Sequence, residues 1–166
     1  MGKEAPQIFR LERAAFVRDK GPSENGKYGV KPTRPRTDFS ITNGILAALI
    51  IDAAIEVHRI LGGPGLLESL YEEALYQELK LRNVSVQAQV QIPVIFKGYT
   101  LRNPMRLDLL VDSKVIVEVK ATEQEQSIHK AQVLTYLRLT KLKLGLVLNF
   151  GQKLLRNGIE RVVNDL

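Results

Sequence analysis

Two short apolar runs, residues 107–111 and 115–121, flank the polar triplet Asp112-Ser113-Lys114, and β-branched residues dominate the second run. Runs of this length bounded by turn formers predict a hairpin. Upstream, residues 45–61 read as a helix with Ile51, Ile55 and His58 on one stripe and Asp52, Glu56 and Arg59 on another. Gly62-Gly63-Pro64-Gly65 breaks it, and a second helix follows over 66–82 with Glu68, Tyr71, Glu72 and Leu75 on one continuous face. Residues 84–92 and 94–101 read as strands, the latter with a turn or bulge at Gly98. An amphipathic helix is expected over 127–143, a buried strand over 144–150 and a terminal strand over 158–163. Helices, an antiparallel run, a helix and then a strand able to pair in parallel make an α/β domain with a mixed sheet.

Charged residues interrupt this pattern where they are least expected. Asp108 lies inside the first run of the hairpin, and Glu118 and Lys120 lie inside the second. Side chains alternate along a strand, so Glu118 and Lys120 share one face while Val115, Val117 and Val119 share the other. If Asp112, Ser113 and Lys114 all belong to the loop, Val111 faces Val115 and Asp108 falls opposite Glu118. Opposed carboxylates roughly 4.5–5.5 Å apart at Cβ repel, and a cation between them turns repulsion into binding. A two-residue turn would put them on opposite faces unless a bulge restored parity.

Composition narrows the classes. The 166 residues are 45% hydrophobic and 25% charged, ordinary for a globular chain with room for one domain and an extension. Of the net charge of +6, residues 1–44 supply +4, with nine Lys/Arg against five Asp/Glu. This segment, with Gly21-Pro22-Ser23 and Lys31-Pro32-Thr33-Arg34-Pro35-Arg36, reads as a basic, disordered extension, and residues 45–166 as the domain. No apolar stretch is long enough to span a bilayer and no secretory core opens the chain. The absence of cysteine excludes disulfides, thiolate zinc sites and a cysteine nucleophile. A cytoplasmic protein without membrane association is the simplest expectation. Basic charge is compatible with nucleic acid and equally with a solubilising surface.

Other motifs read as structural. Gly63-Pro64-Gly65 follows a helix, not a strand, and Glu68 stands where a dinucleotide fingerprint has its last glycine. His58 is expected as a packed, hydrogen-bonded core histidine and His129 as an exposed one. Oxygen donors such as Glu68, Asp108 and Glu118 suit Mg²⁺ or Mn²⁺, ions that activate water and polarise phosphoryl oxygens. Lys120 could orient an attacking water or stabilise charge on phosphate, and Gln132 could assist from the following helix.

Asp108 followed by Glu118-Val119-Lys120 resembles the D-Xn-E-x-K signature of the PD-(D/E)xK nucleases. More narrowly, Gly65-Leu66-Leu67-Glu68-Ser69-Leu70-Tyr71 is similar to the motif that names the GxxExxY proteins. Flanking segments resemble that group too: Ile55-Glu56-Val57-His58, residues 106–111, residues 131–137 and Gly158-Ile159-Glu160-Arg161. The resemblance implies a restriction-endonuclease-like α-β-β-β-α-β core, with a mixed sheet flanked by helices. It further implies Asp108, Glu118 and the Val119 carbonyl as ligands of Mg²⁺ or Mn²⁺. Lys120 becomes the catalytic lysine, Glu68 the helix-borne acid and Gln132 a polar helper. The chain departs from the pattern in its longer glycine loop, and in Asn103-Pro104-Met105-Arg106, which sets the proline apart from Asp108. The expected activity is metal-dependent hydrolysis of nucleic acid, DNA first. The alternatives are a catalytically silent binding module on the same fold and a structural domain whose Glu68-Tyr71-Glu72 face forms a homodimer.

Overall fold

The structure, a computed structural model, describes residues 39–123 and 127–165, with side chains from Asn43 onward. The expected extension therefore lies outside the described residues as far as residue 38. Helix α1, Phe39–Leu61, opens before Ile45, and no proline stands between Pro35 and its last residue to interrupt it. Helix α2 is Glu68–Leu81. The strands are β1 Val86–Ile92, β2 Ile95–Phe96, β3 Tyr99–Thr100, β4 Met105–Val111, β5 Val115–Lys120, β6 Leu144–Asn149 and β7 Ile159–Val163, with α3, Ser127–Thr140, between β5 and β6. A 3-10 turn, Leu155–Gly158, leads into β7.

The main sheet has the order β1-β4-β5-β6-β7. Only β5 and β6 run parallel, joined by the α3 crossover, and the other neighbours are antiparallel. This is the mixed sheet flanked by helices that the sequence pattern and the resemblance lead one to expect. Residues expected as one strand over 94–101 instead form a separate ribbon of β2 and β3, turned at Lys97-Gly98. Both turn residues have positive φ, +47° and +85°, the geometry of a primed two-residue turn.

Two apolar cores sandwich the sheet. On one side α1 and α2 pack on Leu109, Val111, Val115, Val117 and Val119; on the other, α3 packs on Leu107, Ile116 and Val147. The buried stripe of α1 is Ala47, Ile50, Ala53, Ala54 and Val57. The expected stripe is thereby corrected: Ile51 is half-buried and Ile55 is 44% exposed. The helix is apolar almost all round, and its small alanines, not its isoleucines, permit close approach to α2 and the sheet. His58 is a packed histidine, as expected, its Nε2 3.0 Å from the Gln152 carbonyl oxygen.

The hairpin register is that of the three-residue loop, with Val111 paired to Val115 and Leu109 to Val117. Asp112 and Ser113 take positive φ, and Lys114 N–H donates to the Val111 carbonyl at 3.0 Å. One irregularity matters for the site. Leu107 lies in the α3-side core while Leu109 lies in the opposite one. Residues two apart should share a face, so β4 turns over at Asp108. Strand β1 turns over beside it, since Val86 and Val90 pack on opposite sides. Gln89, between the rungs Ala88–Leu109 and Val90–Leu107, has φ +54°. Paired strands that invert together keep their register, and the distortion sits beside Asp108.

Candidate active site

The site forms where β4 and β5 part. Their pairing ends at Leu109–Val117. Beyond it, Val119 N–H donates not to a β4 carbonyl but to Asp108 Oδ2, at 2.9 Å. The Val119 carbonyl accepts from Lys120 Nζ, also at 2.9 Å. The same ammonium lies 2.9 Å from Glu118 Oε1 and 3.3 Å from Glu68 Oε1. Glu68 reaches it from the first turn of α2. The loop before α2 is anchored by Tyr71, whose hydroxyl donates to the Gly63 carbonyl and accepts from Leu66 N–H at 3.3 Å. The Tyr71 ring stacks on Phe150 with centroids 4.6 Å apart. This buried Tyr71 corrects the expectation of an oligomer face at Glu68-Tyr71-Glu72: the tyrosine belongs to the core, and Glu72 accepts from the Gln89 amide.

Asn149 and Gly151 fix the exit of β5. Thr122 N–H donates to Asn149 Oδ1 at 3.0 Å, and Asn149 Nδ2 donates to the Thr122 carbonyl at 2.9 Å. A Cβ at Gly151 would lie 2.3 Å from the Thr122 carbonyl oxygen, so only glycine admits this crossing.

Burial dominates the electrostatics. Glu118 is 2% exposed, and its carboxyl is pushed up to about 7 by burial, then by the Asp108 charge, against the pull of Lys120. Burial likewise raises Asp108, opposed by the Val119 N–H and by Lys120. Burial pushes Lys120 down, but Glu118, Glu68 and Asp108 together outweigh it and hold the ammonium above its usual range. Glu118 Oε2 is buried without a hydrogen-bond partner among the described residues.

Of the residues expected at the site, Asp108, Glu118, Val119, Lys120 and Glu68 come together. Gln132 does not bond this cluster: its amide donates to the Tyr136 hydroxyl at 2.6 Å, which donates to the Arg106 carbonyl at 2.9 Å. Tyr136 was not singled out by the sequence, although its i, i+4 relation to Gln132 on α3 would have flagged the pair. The expectation of an exposed His129 is corrected. Its ring is half-buried, both nitrogens lack partners among the described residues, and burial and then the Lys120 charge lower its pKa.

An open cleft of about 830 Å³ lies between α2 and β1–β4, lined by Glu68, Glu72, Gln89, Arg106 and Asp108 among others. Among the described residues no group of three or more His, Cys, Asp or Glu side chains is arranged as a metal cluster. The available set is two carboxylates and a main-chain carbonyl, and a hard divalent ion that keeps several waters needs no more. The unpartnered Glu118 Oε2, held beside a second carboxylate, fits such an ion.

A mixed sheet with an acid on each of two diverging strands and a lysine two residues beyond the second defines a class. The chain belongs to the PD-(D/E)XK nuclease superfamily, whose family model matches residues 45–162. Neither a curated protein nor a solved structure matches the chain. Among the described residues no helix is long and apolar enough to cross a membrane.

Proposed function

We propose that this chain is a Mg²⁺-dependent nuclease, with Mn²⁺ as a substitute, that hydrolyses phosphodiester bonds of DNA, and that it falls within the GxxExxY group of its superfamily. The observation that carries the reading is the convergence of Asp108, Glu118 and Lys120 at one strand end with Glu118 Oε2 unpartnered. Asp108, Glu118 and the Val119 carbonyl would hold the ion. When bound, the ion supplies Lewis-acid chemistry to the phosphoryl group and to water. Lys120 donates from its ammonium to the attacking water or to the phosphate oxygens on which charge develops. Glu68 orients that ammonium, and Gln132 acts at one remove through Tyr136. Four carboxylates, Glu68, Glu72, Glu73 and Asp108, line the cleft against Arg106 alone. Phosphate is repelled there until a cation offsets that charge, which supports metal dependence. A cytoplasmic location accords with the lack of cysteine.

A second reading is a module that binds nucleic acid or a protein partner without turnover. It is favoured by Lys120, whose ammonium already pairs with Glu118 and occupies the Val119 carbonyl. The test is cleavage of single- and double-stranded DNA and RNA with Mg²⁺ or Mn²⁺, comparing wild type with Asp108→Ala and Lys120→Ala. Metal-dependent cleavage lost in both variants is expected. Activity surviving both would refute the site, and binding without cleavage by any form would favour the silent module.

A further inference from the structure

The β2–β3 ribbon carries large apolar side chains into solvent: Ile95 is 63%, Phe96 59% and Tyr99 76% exposed. Phe96 and Tyr99 are cross-strand partners, so their rings project from the same face. The primed turn at Lys97-Gly98 suits the twist of so short a ribbon, and Leu101 N–H closes its base on the Val94 carbonyl at 2.8 Å. The ribbon is thus locally ordered while its rings stay outside both cores. Lys97 Nζ lies 5.5 Å from the Phe96 ring centroid. Between Ile92 and Asp108 the chain has Lys97, Arg102 and Arg106 and no acid.

Rings interleaved with cations, in a stretch free of acids, complement a polyanion whose bases offer flat π-faces. A second copy of the chain fits less well. A two-fold contact through this ribbon would set Lys97 and Arg102 against their own counterparts. Duplex bases are stacked on each other and offer their faces to no ring, so the match is to unpaired bases. Strand β4 continues from the ribbon past Arg106, which lines the cleft, to Asp108, and Met105 to Asp108 is about 10 Å of strand.

We infer that the β2–β3 ribbon is a binding arm for nucleic acid with unpaired bases, with Phe96 and Tyr99 stacking on the bases and Lys97 and Arg102 holding the phosphates. The inference rests on the nuclease reading in that it names the substrate class delivered to that same site. It is tested by fluorescence anisotropy of the full chain carrying Asp108→Ala, in EDTA, with a labelled single strand and its duplex. Phe96→Ala/Tyr99→Ala lowers single-strand affinity about tenfold or more and leaves duplex affinity nearly unchanged. Lys97→Ala/Arg102→Ala reduces the slope of log K against log salt by about 1.4 for the single strand. Phe96→Trp/Tyr99→Phe keeps the rings and retains affinity. Unchanged single-strand binding by Phe96→Ala/Tyr99→Ala, or an equal loss on duplex, overturns the arm. So does a dimer dissociated by that variant while nucleic-acid binding is untouched. Cleavage that requires Asp108 but ignores the arm variants overturns the arm alone. Arm-dependent binding by a wild-type chain that cleaves nothing overturns the nuclease reading and leaves the arm standing.

Discussion

Replacing Glu118 by glutamine isolates the electrostatic strain of the site. In the metal-free protein the Glu118 carboxyl is raised from 4.5 to about 7. A carboxyl raised on folding takes up protons in the folded state, so its contribution is fully present below the unfolded pKa and is lost as pH rises through the folded one. The window is therefore about pH 4.5 to 7. At about 1.4 kcal/mol per pKa unit, the full shift is about 3 kcal/mol, of which about 2–3 kcal/mol falls between pH 5 and pH 8. Glu118→Gln cannot ionise and escapes this loss. The assay is urea unfolding of wild type and variant in EDTA at both pH values. Wild type should lose about 2–3 kcal/mol relative to the variant between pH 5 and pH 8. The comparison across pH cancels the difference between an amide and a protonated carboxyl. Parallel pH profiles for the two proteins would show that the Lys120 ion pair offsets burial completely, and the argument for a strained carboxylate would fail.

Three further outcomes follow from the same geometry. Mg²⁺ at one hundred times its dissociation constant should stabilise wild type at pH 8 by about 2.7 kcal/mol in thermal unfolding; equal stabilisation of Asp108→Ala would place the ion elsewhere. Tyr71→Phe leaves the Gly63 carbonyl without its hydroxyl partner and should cost about 1–3 kcal/mol in denaturant unfolding, whereas a neutral result would mean that the loop holds Glu68 without it. Gly145→Ala sets a Cβ 2.4 Å from Val133 Cγ1, where α3 crosses β6. It should destabilise by about 1–3 kcal/mol, and an unchanged melting temperature would show that α3 can shift freely.

The hairpin and the gathering of Asp108, Glu118 and Lys120 were legible because they depend on local signals, charges inside apolar runs and a polar triplet between them. The register was not, since both strands are apolar on both faces and the pattern admits a two- or a three-residue turn. The ribbon was half legible, since Gly98 marked a turn but nothing marked its separation from the main sheet. The buried stripe of α1 was hidden by a helix apolar nearly all round, where periodicity cannot select between isoleucine and alanine. The burial of His129 and the contact of the Tyr136 hydroxyl with the Arg106 carbonyl are products of tertiary packing; the i, i+4 spacing marks Gln132 and Tyr136 as a pair but not their partner on β4.

The turnover at Asp108 was illegible for a sharper reason, and the site depends on it. Val86-Gln87-Ala88-Gln89-Val90-Gln91-Ile92 alternates without a flaw, so period-two reasoning predicts an undisturbed strand, and glutamine is no signal for positive φ. Yet Gln89 takes φ +54° and the β1–β4 pair inverts there. A residue's N–H and C=O point to the same side of a strand, so a continued β4–β5 ladder would have consumed both main-chain groups of Val119. Because the pairing stops at Leu109–Val117, the N–H goes to Asp108 and the carbonyl stays free of the ladder. The carbonyl can then serve as an oxygen donor, and at present it is held by Lys120. The backbone distortion, not the acids alone, turns two opposed carboxylates and a strand lysine into a set of groups able to hold a cation.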